Sequence, residues 1–190
     1  MVDWTVDHYP VSTDSAESPS VLEIGCGNGT LLFAVHEAGY NPKKIHGIDC
    51  SENAISLAKS IASGKETEDA TSIQFTVHDF LTEDLPRDDT TSDGWDLILD
   101  KGTFDAISLG KKDEDGCAPY RRYPQHLAAL MKPGGRFLIT SCNFTENELK
   151  SVFLVPEAGL VYHSRVQHPT FTFGGKSGSI VVTLAFEKPQ

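Results

Sequence analysis

No stretch of this 190-residue chain approaches the ~18 consecutive apolar residues that a membrane-spanning helix requires. No basic segment followed by an apolar one opens the N-terminus, so no secretory signal is visible. The four cysteines (Cys26, Cys50, Cys117, Cys142) are scattered, with no C-x-x-C and no histidine pair at zinc spacing. That pattern fits reduced thiols in a cytoplasmic protein better than a disulfide frame or a metal site. The seven histidines form no ligand spacing either, and no metal is expected. Positive charge is scarce as well: 16 Lys plus Arg stand against 27 Asp plus Glu, for a net charge of −11. Such a surface repels phosphate backbones, which argues against a nucleic-acid partner, and it steers cationic groups inward.

What is present is the make-up of one soluble domain, 39% hydrophobic and 23% charged. Residues 1–20 are polar and read as a loose lead-in to a single domain over 21–190. From residue 21 short β-like runs alternate with helical spacing. Strands are expected at 21–24, 44–48, 73–77, 95–99 and 136–140, and helices at 30–38, 52–63, 123–131 and 145–153. Ser51 and the Thr145/Glu148 pair supply helix-start signals, and Gly39 and "KPGG" supply stops. Two closing β-like runs, 160–165 and 179–186, flank the Gly-rich "FGGKSGS" and read as an antiparallel hairpin. "TFTFGG" has the period of an edge strand. Alternating strands and helices imply an α/β fold: a doubly wound, mostly parallel seven-stranded sheet with a C-terminal antiparallel hairpin.

In such a sheet ligands lie beyond the carboxyl ends of the strands. "VLEIGCGNGTLL" occupies the first of these ends, with Gly25, Cys26, Gly27, Asn28 and Gly29 forming the turn. Glycines admit positive φ and close approach of a ligand to the main chain. The dinucleotide fingerprint G-x-G-x-x-G is not met, because Thr30 stands where its third glycine belongs. A carboxylate, Glu23, lies two residues before the first glycine and suits a cationic ligand. Read alone, the turn is also compatible with a tight strand–helix connection. Asp49, Asp79 and Asp100 then close the second, third and fourth expected strands, positions that solubility alone does not explain.

The run E-x-G-x-G-x-G resembles motif I of the class I S-adenosylmethionine-dependent methyltransferases, a Rossmann-like methyltransferase fold. The resemblance implies S-adenosylmethionine as cofactor, held by Glu23, Gly25, Cys26, Gly27, Asn28 and Gly29, by Asp49, Cys50 and Ser51, and by Asp79, Phe80 and Asp100. It implies that Asp49 accepts the ribose hydroxyls and that Asp79 reads the adenine amino group. The N-P-P-Y and D-P-P-Y loops of amide and base methyltransferases are absent. In their place stands "DKGTFDA" (100–106), which together with "SCNFTENEL" (141–149) and "HPTFTFGGKSGSIVVTLAFEK" (168–188) resembles the lysine methyltransferases of translation elongation factor 1-alpha. That resemblance, over about 21–188, implies a protein-lysine N-methyltransferase whose partner is elongation factor 1-alpha. A monomer is expected. Members of that family carry a longer, aromatic-containing region before the first strand, so the lead-in reads as shortened, with Trp4 and Tyr9 its only aromatics.

Methyl transfer from a sulfonium needs alignment and a neutral amine more than a strong base. Asp100 is expected to orient and attract the incoming lysine amine, and Phe104 to wall the channel with a ring face. Asn143 and Phe144 either border that channel or serve the next helix start. Cys26 and Cys50 read as small packing residues, Lys101 as a solvated lysine, and "GKKDEDG" (110–116) as a solvated loop. Two other functions share the motif: a small-molecule methyltransferase, and a lid-less, non-catalytic binding module of the same fold.

Overall fold

The computed structural model describes residues 1–12, 17–65, 68–83, 93–111, 116, 118–173 and 176–190. The expected acidic loop around 82–94, the "GKKDEDG" loop, Cys117 and the centre of "FGGKSGS" lie largely or wholly outside them. The helices are α1 (Val2–His8), α2 (Thr30–Glu37), α3 (Glu52–Gly64), α4 (Thr103–Ser108), α5 (Tyr123–Leu130) and α6 (Glu146–Phe153). The strands are β1 (Val21–Ile24), β2 (Ile45–Asp49), β3 (Gln74–Val77), β4 (Trp95–Lys101), β5 (Met131–Ser141), β6 (Val161–Val166), β7 (Phe171–Phe173), β8 (Lys176–Gly178) and β9 (Val182–Glu187).

Seven strands form one sheet in the order β3-β2-β1-β4-β5-β9-β6. The first five run parallel, and β9 is antiparallel to both β5 and β6. The order reverses at β1, which places the glycine turn at the crevice between β1 and its neighbours. Alternation along the strands sorts the core into two layers. Val21, Leu97 and Leu99 pack with Leu32 and Phe33 of α2, and with Ile55 and Ala58 of α3. Leu22, Ile24 and Ile98 pack on the opposite face with Phe104, Tyr123, Leu127 and Phe153 from α4, α5 and α6.

The helix starts follow the signals in the sequence. Ser51 Oγ accepts from the Ala54 amide, and Thr145 with Glu148 forms a reciprocal capping box. Three features differ from the sequence expectation. The lead-in begins with a helix whose Trp4 is buried and donates from Nε1 to Ser164 Oγ of β6 (3.1 Å). Tyr9 Oη donates to the Asp96 carbonyl (2.7 Å), so the lead-in is packed rather than loose. β5 starts at Met131, because "KPGG" continues the strand through main-chain bonds between Gly134, Gly135 and Lys188. The closing strands pair as expected, but β9 takes an inner position, and a separate two-stranded β7–β8 unit interrupts the connection.

Candidate active site

The turn after β1 is built from backbone that only glycine adopts comfortably. Gly25 has φ +67, and a Cβ there would lie 2.0 Å from Thr103 Oγ1, at the start of α4. Gly27 has φ +54, yet a Cβ would meet nothing within 4 Å, so open space lies above the turn. Asp49 closes β2 by accepting from the Gly27 amide (2.9 Å) and the Ser51 amide (2.9 Å), which locks the turn to the start of α3. Asn28 is exposed, and its Oδ1 accepts from Thr30 Oγ1 (2.7 Å) at the start of α2.

Glu23 lies beneath this turn at 3% exposure, and its Oε2 is buried with no hydrogen-bond partner among the described residues. Burial, reinforced by the charges of Asp100 and Asp49, pushes its carboxyl well above the ordinary range, with Lys101 opposing. Cys26 is buried beside it, and burial with the charges of Glu23 and Asp49 pushes its thiol up to about 12, which makes it inert at neutral pH. Cys50 is exposed. Beyond β3, Asp79 is exposed and accepts from the Leu81 amide (3.0 Å), while Phe80 is buried against Tyr123, ring centroids 4.6 Å apart.

Asp100 is placed differently from the expectation. It shares a strand face with Ile98, so its carboxylate points into the layer under α4 and α5 and is fully buried. It accepts from the Thr103 amide (2.9 Å), the Phe104 amide (2.9 Å) and Tyr123 Oη (2.6 Å). Burial pushes its pKa up to about 7 against the pull of these three donors. Phe104 is also fully buried, among Tyr120, Tyr123, Phe144 and Phe153. In this arrangement neither side chain is exposed to solvent. Asp100 caps α4 and so fixes the loop that Gly25 rests on.

The matches with known proteins follow this geometry. A family model described as "Methyltransferase domain" matches residues 16–169. The chain is 39% identical over 98% of its length to "Protein-lysine N-methyltransferase efm4" of Schizosaccharomyces pombe, covering 78% of that protein. It belongs to this protein-lysine N-methyltransferase family. A human relative, "EEF1A lysine methyltransferase 2", is 39% identical over 89% of the chain, which spans 65% of that protein. The fold is that of a TehB-like SAM-dependent methyltransferase from Corynebacterium glutamicum: TM-score 0.66, 17% identity, covering 98% of this chain and 86% of that one.

Within this methyltransferase family the residues present fit S-adenosylmethionine. The unpartnered Glu23 oxygen wants a cationic donor, the space over Gly27 is open, and the nearby buried charges are acidic. Sequence reasoning missed four contributors. Tyr123 and Thr103 hold the β4–α4 loop, Asp105 ties it to the end of β5, and Trp4 anchors the N-terminal helix. The "DKGTFDA" motif contained two of them. Tyr123 offered no local signal, since its partner lies 23 positions away.

Proposed function

We propose that this chain transfers a methyl group from S-adenosylmethionine to the ε-amine of a lysine on translation elongation factor 1-alpha, acting as a cytoplasmic monomer without a nucleic-acid partner. The observation that carries the reading is the buried, unpartnered Glu23 oxygen under a glycine turn, in a chain so similar to lysine methyltransferases. Among the described residues no helix is long and apolar enough to cross a membrane.

S-adenosylmethionine, when bound, would supply an electrophilic methyl group carried on a sulfonium. The residues that would hold it are Glu23, through its free oxygen, Asp49, through its remaining lone pairs, and the 79–80 turn. Everything else asked of this chain is alignment and exclusion of water. A lysine near its ordinary pKa of about 10.4 is neutral in roughly one molecule in 2,500 at pH 7. Desolvation at the strand ends and the sulfonium charge both lower that pKa, so water suffices to take the proton. Asp100, buried and accepting from the first amides of α4, contributes by fixing the β4–α4 loop rather than by touching the amine.

The test is incubation of the chain with isotope-labelled S-adenosylmethionine and purified elongation factor 1-alpha, with mass spectrometry locating the label. Label on one lysine is the expected result. Binding of the cofactor without transfer to elongation factor 1-alpha would reject this substrate, leaving the binding-module and small-molecule alternatives.

A further inference from the structure

The strand ends nearest the glycine turn, those of β1, β2 and β3, are taken up by the cofactor residues. The next two ends in the sheet, β4 and β5, remain for the substrate. Between them runs a chain of hydrogen bonds with no part in the cofactor cradle. Asp105 of α4 is 5% exposed. Its carboxylate accepts from Ser141 Oγ (2.5 Å), from the Cys142 amide (2.8 Å) and from Cys142 Sγ (3.2 Å). Ser141 Oγ in turn accepts from the Asn143 amide (3.2 Å) and the Phe144 amide (3.0 Å). A carboxylate on α4 thereby fixes four consecutive residues, 141–144, at the end of β5 and just beyond it.

The outcome of this tie is the position of an aromatic pair. Phe144 is half-buried, its ring 5.0 Å from the buried Phe104 ring. Tyr120, also half-buried, packs edge-on to Phe104 at 5.8 Å and lies 6.4 Å from Phe144. Phe104 is sealed, so these two rings are the aromatic surface above it. Aromatic faces suit both halves of a lysine side chain, the apolar stem and the cationic head. We infer that Asp105 is a positioning residue for the lysine substrate: through Ser141 it sets Phe144 against Tyr120 as the wall along which the lysine side chain enters. This inference rests on the lysine-methyltransfer reading and names the residues that shape its substrate side.

The variants are Asp105→Asn, which replaces one of two acceptor oxygens by a donor, Ser141→Ala, which removes the relay, and Phe144→Leu with Phe144→Tyr as its conservative partner. Steady-state kinetics would use elongation factor 1-alpha as varied substrate, and calorimetry would give cofactor affinity. Asp105→Asn and Ser141→Ala are expected to raise KM for the protein roughly tenfold, the order of one lost hydrogen bond, and Phe144→Leu by a similar factor through loss of the ring face. Cofactor Kd should stay within about twofold, and Phe144→Tyr should restore KM. Amide hydrogen exchange at Asn143 and Phe144 should accelerate in Asp105→Asn and Ser141→Ala, which tests the tie without turnover. Unchanged KM in folded variants, or a parallel loss of cofactor affinity, overturns the inference. A wild-type chain that binds cofactor but methylates no protein overturns the underlying reading and the inference with it, an outcome visible before any variant is made.

Discussion

Replacing Glu23 by Gln separates the two roles of that carboxylate, because one favours the bound state and the other penalises the free one. Glu23 is 3% exposed, one oxygen has no partner, and Asp100 and Asp49 add like charge. Its folded pKa is therefore raised above the ordinary 4.5. An acid with a raised folded pKa keeps its proton in the fold after the unfolded chain has lost it. Stability then falls as pH rises from about 4.5 up to the pH at which the buried group ionises. Gln cannot ionise, so the cofactor-free variant should match or exceed wild-type stability at pH 8 and should lose the Glu23 share of this slope. In the complex the sign reverses. A hydrogen bond to a charged group contributes about 1.5–3 kcal/mol, so Glu23→Gln should weaken S-adenosylmethionine binding by roughly 10- to 150-fold. Thermal unfolding from pH 5 to 8, with and without cofactor, measures both effects, and titration calorimetry fixes the affinity. A variant with unchanged affinity and an unchanged pH slope would refute the placement of the cofactor's cationic group over Glu23.

Three further outcomes follow from the same geometry. Tyr123→Phe removes a 2.6 Å donor from the buried Asp100, and should cost about 1–3 kcal/mol in urea denaturation. It should also push the Asp100 titration above about 7, so the deficit grows between pH 6 and pH 8. Gly25→Ala meets Thr103 as well as a positive φ, whereas Gly27→Ala pays only the left-handed backbone cost of about 1–2 kcal/mol. The first should therefore unfold at clearly lower denaturant than the second. Trp4→Ala should cost about 3–5 kcal/mol, since the indole is buried and bonded to β6; a shift under 1 kcal/mol would mean that α1 is not part of the core.

Much of this was legible locally. Motif glycines, carboxylates at strand ends and helix caps each carry their chemistry within a few residues, so β1 to β4, α3, α6 and the placement of Glu23 and Asp49 were readable. Direction was harder. The sequence puts Asp100 at a strand end, but only its shared face with Ile98, together with the partner Tyr123, shows that the carboxylate turns inward. The inner position of β9 and the docking of Trp4 on Ser164 depend on pairing across long separations, which no local pattern encodes. Asp105 belongs to the "DKGTFDA" motif, yet its partner Ser141 lies 36 positions away at the end of β5.

The inner position of β9 also bears on how the chain acquires its fold. β6 is made before β9 but has no neighbour in the sheet until β9 is present. Until then β5 presents an open edge along Arg136–Ser141, and α1 lacks the strand that receives Trp4. A parallel half-sheet can assemble early, while its closure waits for contacts between distant segments, a slow kind of step. During that interval the exposed β5 edge is a template for pairing with another chain. Yield of folded protein should accordingly be sensitive to concentration and to any lesion that delays β9, even one far from the cofactor turn.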